Sequence, residues 1–294
     1  MSAVLAVDIG GTTFAAATVR ADRSIAARAE VPLGADPSAT LANLIDRFDP
    51  HGLIGVGIGS AGPLDAAAGT VSPVNIGAWR NYPLTSVVGE LTGLPVGLAG
   101  DAQCMALGEY WHGAAAPSML GVVVSTGIGG GLVLDGEPYF GRSGNAGHIG
   151  HISIDPAGPL CRCGATGCVE TIASGPSMTA FARSHGWTGP DAKALSAAAS
   201  AGHPVARLAF ARGAAALATA IRTTAALVDI DTVVVGGGVA AAGEVLFGPL
   251  RRALAEQAGL GFLRHVTVTP TTLDRDAGLY GAAALAFALA GVPV

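Results

Sequence analysis

Twice in this chain an apolar run ends on a glycine-rich turn and resumes at once as a second apolar run. The first is Val4–Val7, then Asp8-Ile9-Gly10-Gly11-Thr12-Thr13, then Phe14–Val19. The second is Met119–Val124, then Ser125-Thr126-Gly127-Ile128-Gly129-Gly130-Gly131, then Leu132–Leu134. Short apolar runs bounded by glycine read as strand, turn, strand. A glycine turn exposes backbone N–H groups and lets a phosphate approach the main chain. One such turn is common in purely structural hairpins. Two at equivalent places in two halves predict a duplicated fold that grips a polyphosphate from both sides. Neither is a Walker A loop, since no Gly-Lys-[Ser/Thr] follows. Neither is a dinucleotide fingerprint, since a strand follows where a helix would be needed. Lys193 is the only lysine, so unless it reaches the phosphates, backbone amides and a metal must recognise them.

The 294 residues suffice for two modest cores. Half of them are hydrophobic, 13% are charged and 44 are glycine, which excludes disorder and suits a compact α/β protein. A net charge of −5 without a basic run leaves no footprint for nucleic acid. The first residues read as a strand running into Asp8, not as a signal peptide, and apolar runs such as Val122–Val124 are too short to span a membrane. Helices are expected over 37–48, 83–92, about 101–112, 177–185, 191–200, 204–228 and 279–289. Further strands are expected over 53–58, 96–99, 231–235 and 266–269. Gly113–Ser118 reads as a linker. It divides a smaller domain, 1–117 with the helix 278–294 packed back on it, from a larger one, 118–277.

Three of the four cysteines cluster as Cys161, Cys163 and Cys168, and His151 lies ten residues before the first. Three thiolates and an imidazole complete a tetrahedral shell for a structural Zn²⁺, and Gly164 and Gly167 let the chain turn tightly enough to close it. The alternatives are a free-thiol cluster or a disulfide, which would leave one cysteine unpaired and strain a Cys-x-Cys pairing. Reduced cysteines arranged for a metal point to the cytoplasm. Cys104, in an apolar helical pattern, reads as a small buried hydrophobe.

Asp101 falls where a strand ends and a helix begins. It is either an N-terminal cap or a general base at the edge where α/β proteins place ligands. The turn Gly59–Asp65 and the strand end Gly236-Gly237-Gly238 leave backbone groups free for a ligand, though three glycines also fit close helix packing. Trp79 and Tyr82, in the polar loop 72–84, are a ligand stack or a packing anchor.

These residues resemble the ROK family (repressor, open reading frame, kinase) over essentially the whole chain. The resemblance rests on D-I-G-G-T at Asp8–Thr12, S-T-G-I-G-G-G at Ser125–Gly131, G-H-I-G-H at Gly147–His151, C-R-C-G-A-T-G-C-V-E at Cys161–Glu170 and D-A-G-L-Y-G-A-A at Asp276–Ala283. It implies the duplicated actin-like (ribonuclease H-like) α/β fold, with ATP and sugar in a cleft between two domains, and an ATP-dependent sugar 6-kinase using Mg²⁺ and a structural Zn²⁺. It implies Asp101 as the base for the 6-hydroxyl and Asp8 beside the Mg²⁺–phosphate group. The nucleotide side would be Gly10, Gly11, Thr12, Thr13, Ser125, Thr126, Gly127, Gly129, Gly130, Gly236, Gly237 and Gly238. The sugar side would be Gly62, Asp101, His148, His151 and Glu170, with His151, Cys161, Cys163 and Cys168 on zinc. The resemblance further implies a homodimer or homotetramer, without nucleic acid or membrane.

Two positions depart from the family pattern. Gly100 stands where an asparagine usually precedes the aspartate, and His148 stands where a glutamate usually precedes x-Gly-His. An acceptor has become an imidazole that can donate. G-H-I-G-H and D-A-Q at Asp101–Gln103 resemble the family's N-acetylmannosamine kinases in particular, so an N-acetylated hexosamine is the expected substrate. Glucose, 3-amino-3-deoxyglucose (kanosamine) or a sugar-like cyclitol is the alternative. The non-enzymatic alternative is a sugar sensor or repressor, which the short segment before Asp8 and the acidic balance disfavour.

Overall fold

The computed structural model describes residues 2–113 and 116–293. Ala114 and Ala115, in the expected linker, lie outside them. The chain forms two compact units, one of Met1–Pro117, Gly131–Gly147 and Arg275–Val294, the other of Ser118–Gly130 and His148–Asp274.

The first unit is built on β1 (Ala3–Ile9), β2 (Thr13–Arg20), β3 (Ile25–Pro32), β4 (Leu53–Ser60) and β7 (Val96–Gly100), in the order β3-β2-β1-β4-β7. β1, β2 and β3 pair antiparallel, and β4 and β7 continue parallel to β1. A short pair, β5 (Leu64–Asp65) and β6 (Thr70–Val71), follows β4. The helices are α1 (Pro37–Ile45), α2 (Leu84–Thr92), α3 (Asp101–Trp111) and, from the far end of the chain, α9 (Ala277–Leu289). Side chains alternate across a strand, and β1 is apolar on both faces. Leu5, Val7 and Ile9 join Leu41, Leu44, Leu84 and Val88 in one core. Val4 and Ala6 join Leu107, Trp111, Leu279 and Phe287 in the other. Asp8 continues the Val4–Ala6 face, so a carboxylate ends the row that packs under α9. That helix lies at backbone contact, because a Cβ on Gly281 would overlap the Cys104 carbonyl.

The second sheet repeats this order with β8 (Met119–Val124), β9 (Ile128–Leu134), β10 (Glu137–Tyr139), β11 (Thr232–Gly236) and β12 (Thr267–Pro270), arranged β10-β9-β8-β11-β12. β8, β11 and β12 run parallel, and β9 and β10 pair antiparallel. Two sheets of one order on one chain constitute the duplicated actin-like fold. The segment 131–147 falls with the first unit and not with its sequence neighbours. The reason is local: a Cβ on Gly131 would come 2.5 Å from Cα of Gln103 in α3.

The second unit's helices are α4 (Glu170–Ala173), α5 (Gly175–Ser184), α6 (Ala192–Ser200), α7 (Pro204–Val228) and α8 (Glu244–Gln257). By length and composition α7 could cross a membrane, which no run noted in the sequence suggested. Its buried stripe, from Phe210 through Leu217 to Ile221, packs with α4, α5, α6 and α8. The sequence leaves β3, β10 and α8 unassigned, and the structure adds them.

Candidate functional site

The residues predicted to carry chemistry divide between the units. In the first, parallel pairing aligns the C-terminal ends of three strands. Asp8 lies opposite Gly59, and Ser60 opposite both Ile9 and Gly100. Asp8, the turn through Gly62 and Asp101 therefore lie on one sheet edge, where open α/β sheets bind ligands. Asp101 is the first residue of α3, and its Oδ1 accepts from the Ala102 N–H at 2.7 Å. Asp8 is half-buried, and its pKa is pushed up from 3.8 to about 7. Burial is the largest cause and the Asp101 charge the next, with Glu30 adding to them and Arg28 opposing. Gly278, in the first turn of α9, comes so near that a Cβ there would sit 3.2 Å from Asp8 Oδ2.

The first glycine turn closes with Gly10 N–H donating to Thr13 O at 3.1 Å. Asn75 lies over it, 3.0 Å from where a Cβ on Gly11 would be. The loop carrying Asn75 is pinned by Arg80, whose guanidinium donates to the carbonyls of Pro73 and Trp79 at 3.0 and 2.8 Å. Trp79 is a packing anchor. It is fully buried, stacks on Tyr82 at 4.3 Å and donates from Nε1 to Ser38 Oγ at 3.1 Å. Cys104 is buried as expected, and burial pushes its thiol well above the ordinary range.

In the second unit, Ser125 N–H donates to Gly127 O across the second glycine turn at 2.9 Å, and Ser125 O accepts from Gly175 N–H, at the start of α5, at 2.9 Å. Gly236–Gly238 lie beside it: Gly236 pairs with Val123, and Gly237 adopts φ +92° with its Cα close against Val124. Glu170 begins α4, and its Oε2 accepts from the Ile128 N–H at 2.8 Å. A Cβ on Gly127 would stand 2.7 Å from that oxygen, so the carboxylate lies directly against the turn. The single turn Ile149–His151 carries the other predicted sugar contacts, with the His148 and His151 rings 6.1 Å apart.

The ligand atoms of His151, Cys161, Cys163 and Cys168 lie within 4.8 Å of one another. Cys163 and Cys168 sulfurs are 3.7 Å apart, and Cys161 Sγ is 3.7 Å from His151 Nδ1. A tetrahedral Zn²⁺ with Zn–S near 2.3 Å spaces its thiolates roughly 3.8 Å apart, so the donor set fits zinc in number, chemistry and spacing. Gly164 and Gly167 take φ of +93° and +68°, the turns that closing this shell requires. Burial and the neighbouring cysteines push the Cys168 thiol up to about 12.

A ROK family model matches residues 4–288. The chain belongs to the ROK family. The N-acetylmannosamine kinase of Escherichia coli O157:H7 is 40% identical over 289 residues, covering 96% of this chain and 97% of the relative. A ROK family glucokinase from Streptomyces griseus, solved with glucose and AMPPNP, superposes with a TM-score of 0.85 at 33% identity, covering 97% of this chain and 99% of that one. A ROK family transcriptional regulator, homologous to the Escherichia coli MLC protein, superposes at 0.86 with 24% identity, covering 97% of this chain and 77% of that one. At that identity the likeness concerns the fold alone.

The structure gives bonding partners to residues to which the motifs assigned no role. Asn75 stands over the first glycine turn, the Gln103 side chain is bonded to the backbone of Gly100, Gly144 and Ala146, and the Asn145 side chain to that of Leu64. In the sequence Gln103 stands out only as part of D-A-Q, and Asn145 only as an asparagine between small residues in S-G-N-A-G.

Proposed function

We propose that the protein transfers the γ-phosphoryl group of ATP to the 6-hydroxyl of an N-acetylated hexosamine, N-acetylmannosamine foremost. The observation that carries this reading is near-full-length similarity to N-acetylmannosamine kinases together with Asp101 and Asp8 on one sheet edge. Asp101 accepts the proton of the 6-hydroxyl as the hydroxyl oxygen attacks the γ-phosphorus and the bond from that phosphorus to the bridging oxygen breaks, releasing ADP. Asp8 helps to hold the Mg²⁺ of the nucleotide, which supplies charge neutralisation at the phosphates. The turns Gly10–Thr13 and Ser125–Gly130 offer backbone N–H groups to phosphate oxygens, and Gly236–Gly238 offer a flat surface to the nucleoside. Such catalysis is mostly positioning and electrostatics. His151, Cys161, Cys163 and Cys168 hold a structural zinc that braces the segment carrying His148 and Glu170, and Gly62, His148, His151 and Glu170 meet the sugar.

The choice of sugar follows from His148. His148 is exposed on its turn, and a ligand that covers it is rejected when it leaves the polar groups unpaired. An imidazole in place of a carboxylate weakens binding of a donor-rich glucose and suits a ligand with an acceptor near C2, such as an N-acetyl carbonyl. Gly100 leaves room on the C3–C4 side, which favours 3-amino-3-deoxyglucose or a cyclitol next. The place of action on this reading is the cytoplasm, where ATP is present and thiols stay reduced.

The test is kcat/KM with ATP for glucose, N-acetylmannosamine and 3-amino-3-deoxyglucose, for wild type and His148→Glu. N-acetylmannosamine is expected to lead, with glucose gaining about tenfold in His148→Glu relative to the other two. A wild type that prefers glucose, or ratios untouched by the substitution, overturns the specificity. Binding of a sugar without ADP release would point to a sensor.

A further inference from the structure

One polar network in the first unit is not accounted for by any of the predicted site residues. Gln103 is 6% exposed, in the third position of α3. Its Oε1 accepts from the Gly100 N–H at 2.8 Å. Its Nε2 donates to the carbonyls of Gly144 and Ala146, at 3.2 and 2.8 Å. Between those carbonyls, Asn145 points the other way. Its Nδ2 donates to Leu64 O at 2.7 Å, and its Oδ1 accepts from Leu64 N–H at 3.2 Å. Two amides thereby join three segments of backbone: the turn after β4 that holds Gly62, the loop 141–147, and the start of α3.

We infer that Gln103, supported by Asn145, is a positioning residue that fixes the Asp101 carboxylate against the acceptor hydroxyl. The inference rests on the kinase reading above. A buried amide is costly unless its groups are paired, and an apolar residue of similar size would fill the same space without that requirement. What the amide adds is direction. Asp101 sits between Gly100, whose N–H is bonded to Gln103, and Ala102, whose N–H meets the Asp101 carboxylate. The backbone on both sides of the base is therefore tied to side-chain oxygens. Gly100 has no side chain of its own to brace this corner, which leaves the task to Gln103. The loop 141–147, held from both sides, leads directly to Gly147 and the His148 motif.

The test uses the full-length protein with ATP and N-acetylmannosamine. Gln103→Met keeps length and loses the amide; Asn145→Ala releases the loop from Leu64; the double variant combines them. A misplaced base costs on the order of 10–100-fold in rate. Gln103→Met is expected to lower kcat in that range and raise the sugar KM several-fold, with the ATP KM within twofold of wild type. Asn145→Ala should show the same pattern more weakly, and the double variant should fall little below Gln103→Met, because both act through one loop. Gln103→Glu can imitate the amide only when protonated, so its rate relative to wild type should fall as pH rises. A Gln103→Met enzyme that melts lower yet keeps kcat and both KM values within twofold shows a structural role only and overturns the inference. A wild type that phosphorylates none of the sugars overturns the kinase reading, and this inference with it.

Discussion

The turn at Gly10–Thr12 and the turn at Ser125–Gly127 occupy the same place in two sheets of the same strand order, yet they obtain a carboxylate in different ways. The first has its own. Asp8 is the penultimate residue of β1, held under the N-terminal turn of α9, and Asp101 stands on the same sheet edge. The second has none in its strand. It receives Glu170, which arrives from forty residues downstream on α4 and bonds the Ile128 N–H. Glu170 lies two positions beyond Cys168, so the fixed point behind this carboxylate is the Cys/His cluster. The two halves thus share strand order and glycine turns, while the carboxylate comes from the strand itself in one and from the helix α4 in the other.

Four experiments press on this contrast. The largest effect is expected from Asp101→Asn. General-base assistance is worth on the order of 10²–10⁴-fold, so turnover should nearly vanish while sugar binding, followed by calorimetry, persists. A variant that keeps more than a tenth of the wild-type kcat removes Asp101 from the chemistry.

Asp8→Asn comes next, with two readouts of opposite sign. The folded protein holds the Asp8 proton up to about pH 7, whereas an unfolded aspartate releases it near 3.8. The folded state therefore binds more protons between these values, and stability falls as pH rises through that window. Replacing the carboxyl with an amide abolishes the loss, so Asp8→Asn should melt higher than wild type at pH 8 and no differently at pH 4. Its turnover at pH 8 should drop by about 100-fold, the trade expected of a site that carries strain for function. Equal melting at pH 8 would show that Asp8 is not held against its charge.

Glu170→Ala probes the borrowed carboxylate. It leaves the Ile128 N–H without its partner, so both the ATP and the sugar KM should rise, each by about tenfold, or roughly 1.4 kcal/mol. A change confined to the sugar would mean that the bond to the turn is incidental. The smallest catalytic effect is expected from Cys163→Ser. Protein purified without added metal should carry one equivalent of zinc, and the variant less than half. Its sugar KM should rise several-fold and its melting midpoint fall. Wild type with less than half an equivalent of zinc, titratable thiols and an intact fold would remove the metal.

Strong local signals carried most of the architecture. Glycine turns between apolar runs announced both hairpins, and α7 and α9 are legible from their length and apolar content. The strand β3 was hidden because it lies at a sheet edge with Ala26, Ala27 and Arg28 exposed, and its alternation is weak. The helix α8 was hidden by Gly248-Pro249 in its middle, a pair that ordinarily marks a turn. At the site, residues whose chemistry is intrinsic, Asp8, Asp101 and the Cys/His set, were visible in sequence. Glu170 was assigned to a ligand, and its bond to the glycine turn was not foreseen, because forty residues separate the partners. The pairing of Gln103 and Asn145 with distant backbone left no trace that periodicity could register.

The position of α9 bears on how the molecule is made. With α3, the helix covers one face of the first sheet and sets its first turn on Asp8, yet its residues leave the ribosome after every strand of both sheets. Domains commonly acquire structure in the order of their synthesis. Here the order inverts: β8 through β12 are available together while the earlier sheet still shows an apolar face, Val4, Ala6, Ala17 and Val19, to solvent. A nascent chain arrested before Ala277 would offer that face to chaperones, and a stop codon ahead of α9 would disable the unit whose strands were translated first.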